Sequence, residues 1–293
     1  MARAKTKSNT TATVIAFANH KGGCGKTTAV GNLGAALAEM GERVLLIDAD
    51  PQANLSELYG LGDEMLPGTR LEDALVNGSA APPAPWTERP DDDEIIVELA
   101  CGVHLLPCTE ELAGAVIDHA AEVGFEYRLR ELVSGYRPDY DFVLIDTPPG
   151  IQPLTSMAML AADWVLVPAR PADFDVGGAV KVADFIEQRI TEFNPTLHVL
   201  GVLVGQTDRR WAIGRETREA LAAAGVQKLR HDVPFAIRVG AAPRYGMPTL
   251  ALEPDSRVAA AYRLVAKDLA DALSPTSKNT ASERATAETA VPA

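Results

Sequence analysis

Six short stretches of this chain are apolar almost throughout: Val14-Ile-Ala-Phe-Ala18, Val44-Leu-Leu-Ile47, Val103-His-Leu-Leu106, Phe142-Val-Leu-Ile145, Val165-Leu-Val167 and Val199-Leu-Gly-Val-Leu-Val204. A strand with one wet face alternates apolar and polar residues. A strand that does not alternate must be buried on both faces, as in a parallel sheet covered by helices on each side. Helical stretches separate these runs. The first spans Thr27 to Met40, with Leu33, Leu37 and Met40 on one face and Gly41 placed as the glycine that ends it. The expected fold is therefore α/β: a mostly parallel sheet with helices on both faces. Such sheets bind ligands at the carboxyl ends of their strands.

Those ends hold the polar residues that matter. The first strand runs into His20-Lys21-Gly22-Gly23-Cys24-Gly25-Lys26-Thr27-Thr28, and a helix follows. Strand, glycine-rich loop and helix in that order make a phosphate-binding P-loop. Backbone N–H groups of Gly22, Gly23, Cys24 and Gly25, with the helix N-terminus at Thr27 and Thr28, cradle phosphate. Lys26 reaches the β- and γ-phosphates, and the Thr27 hydroxyl ligates Mg²⁺. The ordinary pattern places a glycine at position 20, where this chain has His20. A second lysine, Lys21, stands before the double glycine instead. Cys24 occupies a variable position and is expected to be inert.

Two further strands end in carboxylates: Asp48-Ala-Asp50-Pro-Gln-Ala-Asn54 after the second, and Asp146-Thr-Pro-Pro-Gly150 after the fourth. Phosphoryl transfer to water needs a cation to neutralise charge and a group to orient the nucleophile. Asp146 is expected at the metal, Asp50 at the attacking water, and Asp48 behind them in a supporting role.

Composition narrows the setting. Hydrophobic residues make up 47% of 293 and charged residues 23%, which is ample for a large core. No apolar run reaches the length of a membrane span. Met1–Thr13 has basic residues but no apolar segment of a secretory signal. Three unevenly spaced cysteines (Cys24, Cys101 and Cys108) make no disulfide framework, which fits a reducing, cytoplasmic location. Cys101 and Cys108 are expected to serve packing rather than an iron–sulfur cluster. The net charge is −13, yet Gly205 to Tyr245 holds eight Lys and Arg against four Asp and Glu, a local basic surplus. The expected organisation is a basic flexible tail over residues 1–12, one ATPase domain over 13–273, and a disordered Ser/Thr/Ala/Pro tail over 274–293. The stretch from Leu61 to Glu98, with its prolines and Asp91-Asp92-Asp93, is expected as a surface excursion.

These motifs together resemble the ParA/Soj partition ATPases, in the group with a deviant phosphate loop that also contains MinD. The matching residues are Lys21 to Thr28, Asp48 to Asn54, Leu144 to Pro149, Asn194-Pro195 leading into Gly201 to Val204, Val233-Pro234, and Arg238 to Pro248. The resemblance implies ATP and Mg²⁺ as cofactors, with Lys21, Lys26 and Asp50 as the catalytic set and Gln206 and Pro234 also at the nucleotide. It implies a homodimer in the ATP state, with Lys21 reaching the other subunit's phosphates. It implies binding to DNA without sequence preference, through Arg210 and Arg238, and hydrolysis stimulated by a ParB-type partner. The corresponding role is chromosome or plasmid segregation at the nucleoid, with no membrane attachment. The chain departs from the family pattern at Ala172–Gly178, Gly205 and Phe235, which bears on the base pocket and the partner surface. Its first strand begins almost at once, so the helix-turn-helix of plasmid relatives and operator-specific repression are not expected. Three other readings share the fold: positioning of a protein cargo, a MinD-like membrane-associated ATPase, and an ATP-dependent small-molecule ligase. The Leu-, Ile-, Phe- and Trp-free tail after Ser274 argues against the membrane reading.

Overall fold

Each apolar run forms a strand whose successive side chains enter opposite layers. Val14 and Ala16 pack in one buried cluster, and Ile15 and Phe17 in the other. Leu45 and Ile47 alternate with Val44 and Leu46 in the same way. The computed structural model describes residues 11–61, 70–77, 97–98, 101–171, 176–208, 219, 221–223 and 225–273. Its strands are β1 (Thr13–Phe17), β2 (Val44–Asp48), β3 (Val97–Glu98), β4 (Val103–Leu106), β5 (Phe142–Asp146), β6 (Trp164–Ala169) and β7 (His198–Val204). They lie in one sheet in the order β3-β4-β2-β5-β1-β6-β7. Six are parallel, and β3 pairs antiparallel with β4 at the edge. A mostly parallel sheet was the expectation, and this is one.

The helices are α1 (Lys26–Glu39), α2 (Asn54–Leu58), α3 (Leu71–Asn77), α4 (Glu111–His119), α5 (Arg128–Tyr136), α6 (Pro153–Ala161), α7 (Val176–Phe185), α8 (Thr249–Leu252) and α9 (Arg257–Leu273). Leu33 and Leu37 of α1 share one layer with Val258, Tyr262 and Val265 of α9. Leu129 and Val133 of α5 and Met157 and Ala158 of α6 build the other. Gly41, at φ +85°, closes α1: its N–H donates to Ala38 O at 2.9 Å, and that of Glu42 donates to Leu37 O at 3.2 Å. Met40 does not join the apolar face. It is the cap residue, 42% exposed, where the helix tightens to a bond from the Met40 N–H to Leu37 O before the left-handed turn at Gly41.

Two expected boundaries shift. Ala12 is buried and its N–H donates to Arg137 O at 3.1 Å, so the core begins one residue before the expected start of the domain. Much of the supposed excursion, 62–69 and 78–96, lies outside the described residues, as do 1–10 and 274–293. Its middle is not surface, however. Leu71 and Leu75 of α3 are fully buried, and the buried Glu72 carboxylate accepts from the Thr109 hydroxyl at 2.6 Å. About two helical turns of correct spacing are hard to see between long polar segments. Cys24, Cys101 and Cys108 are all unpaired, and the buried Cys108 thiol donates to Asp50 O at 3.1 Å. Among the described residues no helix is long and apolar enough to cross a membrane.

Candidate functional site: a phosphate loop beside two buried carboxylates

Central β1 delivers the loop. Past its end, the N–H of Ala18 donates to Leu166 O at 3.1 Å, and Asn19 Nδ2 donates to Pro168 O at 2.6 Å, tying the loop to β6. Asn19 Oδ1 accepts from the Lys21 N–H at 3.1 Å and starts the turn. Gly25 precedes α1 at φ +94°, a left-handed conformation that favours glycine. As it has no side chain, nothing from this residue caps α1. No side-chain hydrogen bond caps this end of α1, and an uncapped helix N-terminus can receive an anion.

Strand register brings the carboxylates to the loop. Asp48 at the end of β2 is level with Asp146 at the end of β5, and Asp146 is level with Phe17 of β1. Asp146 is fully buried; its Oδ2 accepts from the Thr27 hydroxyl at 2.6 Å and its Oδ1 from the Thr147 N–H at 3.1 Å. Asp48 is also fully buried and accepts from the N–H and hydroxyl of Ser56, both at 2.8 Å, and from the Asp50 N–H at 3.3 Å. It therefore holds the turn that carries Asp50 and α2. Asp50 is buried, and its Oδ1 accepts from the Gln52 N–H at 3.0 Å. Burial pushes the Asp146 and Asp48 carboxyls above the ordinary range, and the Asp48 charge adds to the rise at Asp146. The bond from Thr27 and the charge of Lys26 oppose it.

Two adjoining cavities flank the loop. One, of about 400 Å³, is mainly apolar and lies between Cys24, Pro168, Leu203, Val233, Pro234 and Tyr262. The other, of about 350 Å³, is lined by Gly22, Gly23, Gly25, Lys26, Thr27 and Asp50, among others. Gly25, Thr28, Arg170 and Gln206 belong to both, so the two form a continuous trough. Gln206 has φ +57°, uncommon outside glycine. Its neighbour Thr207 bridges to the Pro234 segment, donating its N–H to Val233 O at 3.1 Å. The trough has the shape for a flat apolar base at one end and a charged chain at the other.

A family model described as an AAA domain matches residues 12–199. The chromosome partitioning protein ParA of Caulobacter vibrioides is 36% identical over 259 residues, covering 87% of this chain and 93% of that protein. The chromosome-partitioning ATPase Soj of Thermus thermophilus is 36% identical over 256 residues, covering 87% and 94%. The chain belongs to the ParA/Soj family of P-loop ATPases. Solved structures agree on the fold. Cobyrinic acid a,c-diamide synthase from Mycobacterium smegmatis, with bound ADP and magnesium, superposes at TM-score 0.72 with 29% identity, covering 90% of this chain and 96% of that one. The cell division ATPase MinD of Pyrococcus furiosus gives 0.69 with 25% identity, covering 88% and 98%.

In this ParA/Soj-family chain Gly22 to Thr28, Asp50, Gln206 and Pro234 line one trough, and the fully buried Asp146 and Asp48 stand behind it, Asp146 bonded to Thr27. Lys21 behaves differently: it is exposed and lines neither cavity. Arg238, on the 3-10 segment Ile237–Tyr245, is exposed and paired with Glu253 at 3.1 Å. Arg210 lies outside the described residues. Asn32 and Arg170 are among the trough residues that escaped the sequence reading. Asn32 bonds Thr28 O and the Leu250 N–H, both at 2.8 Å, and so joins α1 to α8 under the phosphate end. Arg170 directly follows β6; a charged residue just past a buried strand was its only signal.

Proposed function

We propose that this chain is an ATP-driven switch that acts in chromosome or plasmid segregation. Two copies close face to face when ATP and Mg²⁺ are bound, the dimer holds DNA without sequence preference, and a ParB-type partner stimulates hydrolysis and release. The observation that carries this reading is Lys21. It opens the phosphate loop, yet it is exposed and lines neither cavity of its own subunit. A cation so placed suits a phosphate in a second subunit, which makes closure depend on nucleotide charge.

The donor set fits Mg²⁺ shared with a nucleotide. Thr27 and Asp146 offer oxygens 2.6 Å apart, and no group of three His, Cys, Asp or Glu among the described residues would cage a metal alone. When bound, Mg²⁺ neutralises charge on phosphate oxygens. The N-terminal amides of α1 and Lys26 hold the β- and γ-phosphates. Asp50 orients a water, which attacks the γ-phosphorus as the bond to the ADP oxygen breaks. Burial of Asp50 against the Ser56–Asp48 anchor fixes it for that task.

The test is binding to a random-sequence DNA duplex with ATP·Mg²⁺, ADP·Mg²⁺ or no nucleotide, at two salt concentrations. The expected result is binding with ATP alone, weakened by salt and by Arg238→Glu. Absence of binding in every state would remove the DNA half of the proposal. Likeness to cobyrinic acid a,c-diamide synthase supports a second reading, ATP-dependent amide synthesis on a small carboxylate. That reading predicts turnover that responds to the small molecule and not to DNA.

A further inference from the structure

Arg170 stands where the two cavities meet and lines both. The backbone leading to it is held from two sides. Asn19 Nδ2 donates to Pro168 O at 2.6 Å, and the Gly205 N–H donates to Ala169 O at 2.8 Å. The first of these anchors belongs to the phosphate loop, so the strand end bearing Arg170 keeps a fixed place relative to that loop. The guanidinium reaches the loop itself: a Cβ built on Gly23 would lie 3.3 Å from its nearest nitrogen.

The group has no ion-pair partner among the described residues. Its Nε is buried with no hydrogen-bond partner among the described residues. Asp50 and Glu57 line the same phosphate cavity, yet neither forms an ion pair with Arg170. Burying a cationic donor without a partner opposes folding. A ligand with anionic oxygens would satisfy it, and a planar guanidinium presents two donors to such oxygens at once.

We propose that Arg170 is a nucleotide-binding residue that donates to phosphate oxygens of ATP bound in its own subunit, alongside Lys26. The inference rests on the ATP site alone and is independent of DNA binding and dimerisation. Its ligand chemistry is the polyphosphate chain, not the base.

Displacement of a fluorescent ADP analogue by ATP, by tripolyphosphate and by adenosine tests this in the wild type, Arg170→Gln and Arg170→Lys. Arg170→Gln is expected to weaken ATP and tripolyphosphate about tenfold or more, the loss of one charge-assisted contact. Adenosine should stay within about twofold, and Arg170→Lys should fall between. The thermal midpoint of ligand-free Arg170→Gln should equal or exceed that of the wild type, because an unpartnered buried donor is removed; a purely structural residue would lower it. Unchanged tripolyphosphate displacement in Arg170→Gln, or an equal loss for adenosine, would overturn the assignment. A wild type that bound neither the analogue nor ATP would instead sink the ATP site itself.

Discussion

Gly201 in β7 has no room for a side chain, and Gly201→Ala measures how far that strand sets the site. Its φ is +141°, and a Cβ there would lie 2.5 Å from the backbone carbonyl oxygen of Gln227, closer than real Cβ contacts come. The carbonyl cannot swing aside freely, since it accepts the Val202 N–H at 2.8 Å. The conformation has a cause: β7 shifts register against β6 between Val165 and Leu166, leaving Leu200 as the extra residue, and Gly201 is where pairing resumes, opposite Leu166. An alanine in this conformation costs about 1–3 kcal/mol, and loosening the Val202 bond costs about another 1 kcal/mol. The sum, about 2–4 kcal/mol, corresponds to a fall in the thermal midpoint of about 5–15 °C for a domain of this size. ATP affinity should fall as well, because Gln206 and the Val233–Pro234 segment hang on the end of β7. Gly205→Ala is the control: nothing lies within 4 Å of a Cβ there, so its ligand-free midpoint should match the wild type. Thermal unfolding of the three proteins, with and without ATP, reads both effects. A Gly201→Ala midpoint within about 2 °C of the wild type would refute the reasoning, since strain on this scale cannot vanish in a packed sheet.

Three other outcomes are expected. Lys21→Ala should remain monomeric with ATP in analytical ultracentrifugation while still binding the nucleotide; a normal ATP-dependent dimer would contradict the role given to Lys21. Asp50→Ala should bind ATP and Mg²⁺ yet turn over about 10²–10⁴ times more slowly in phosphate release, and unchanged turnover would move water orientation to another group. Asn194→Ala should lower stability to urea by about 2–4 kcal/mol. Its buried amide nitrogen donates to the carbonyls of Met159, Leu160 and Ala162 at the end of α6, so one truncation leaves several acceptors unpaired.

What the sequence alone determined is local. Uniform apolarity located six strands and identified a sheet buried on both faces, because solvent exposure on either face would demand polar alternation. The loop from Lys21 to Thr28 announced a phosphate site because strand, glycines and helix start are consecutive in the chain. Asp48 and Asp146 were legible as strand-end carboxylates for the same reason. Periodicity failed where the chain turned or the signal was short: it placed Met40 on the apolar face of α1 and hid α3 between polar stretches. Only the tertiary structure decided which strand ends are neighbours. The register that sets Asp48 level with Asp146, and Asp146 beside the end of β1, joins residues about a hundred positions apart. Arg170 meets Gly23, and Asn32 meets Leu250, across still longer intervals. Such contacts arise from strand order and helix packing, which balance burial over the whole sheet. No window of consecutive residues carries that information.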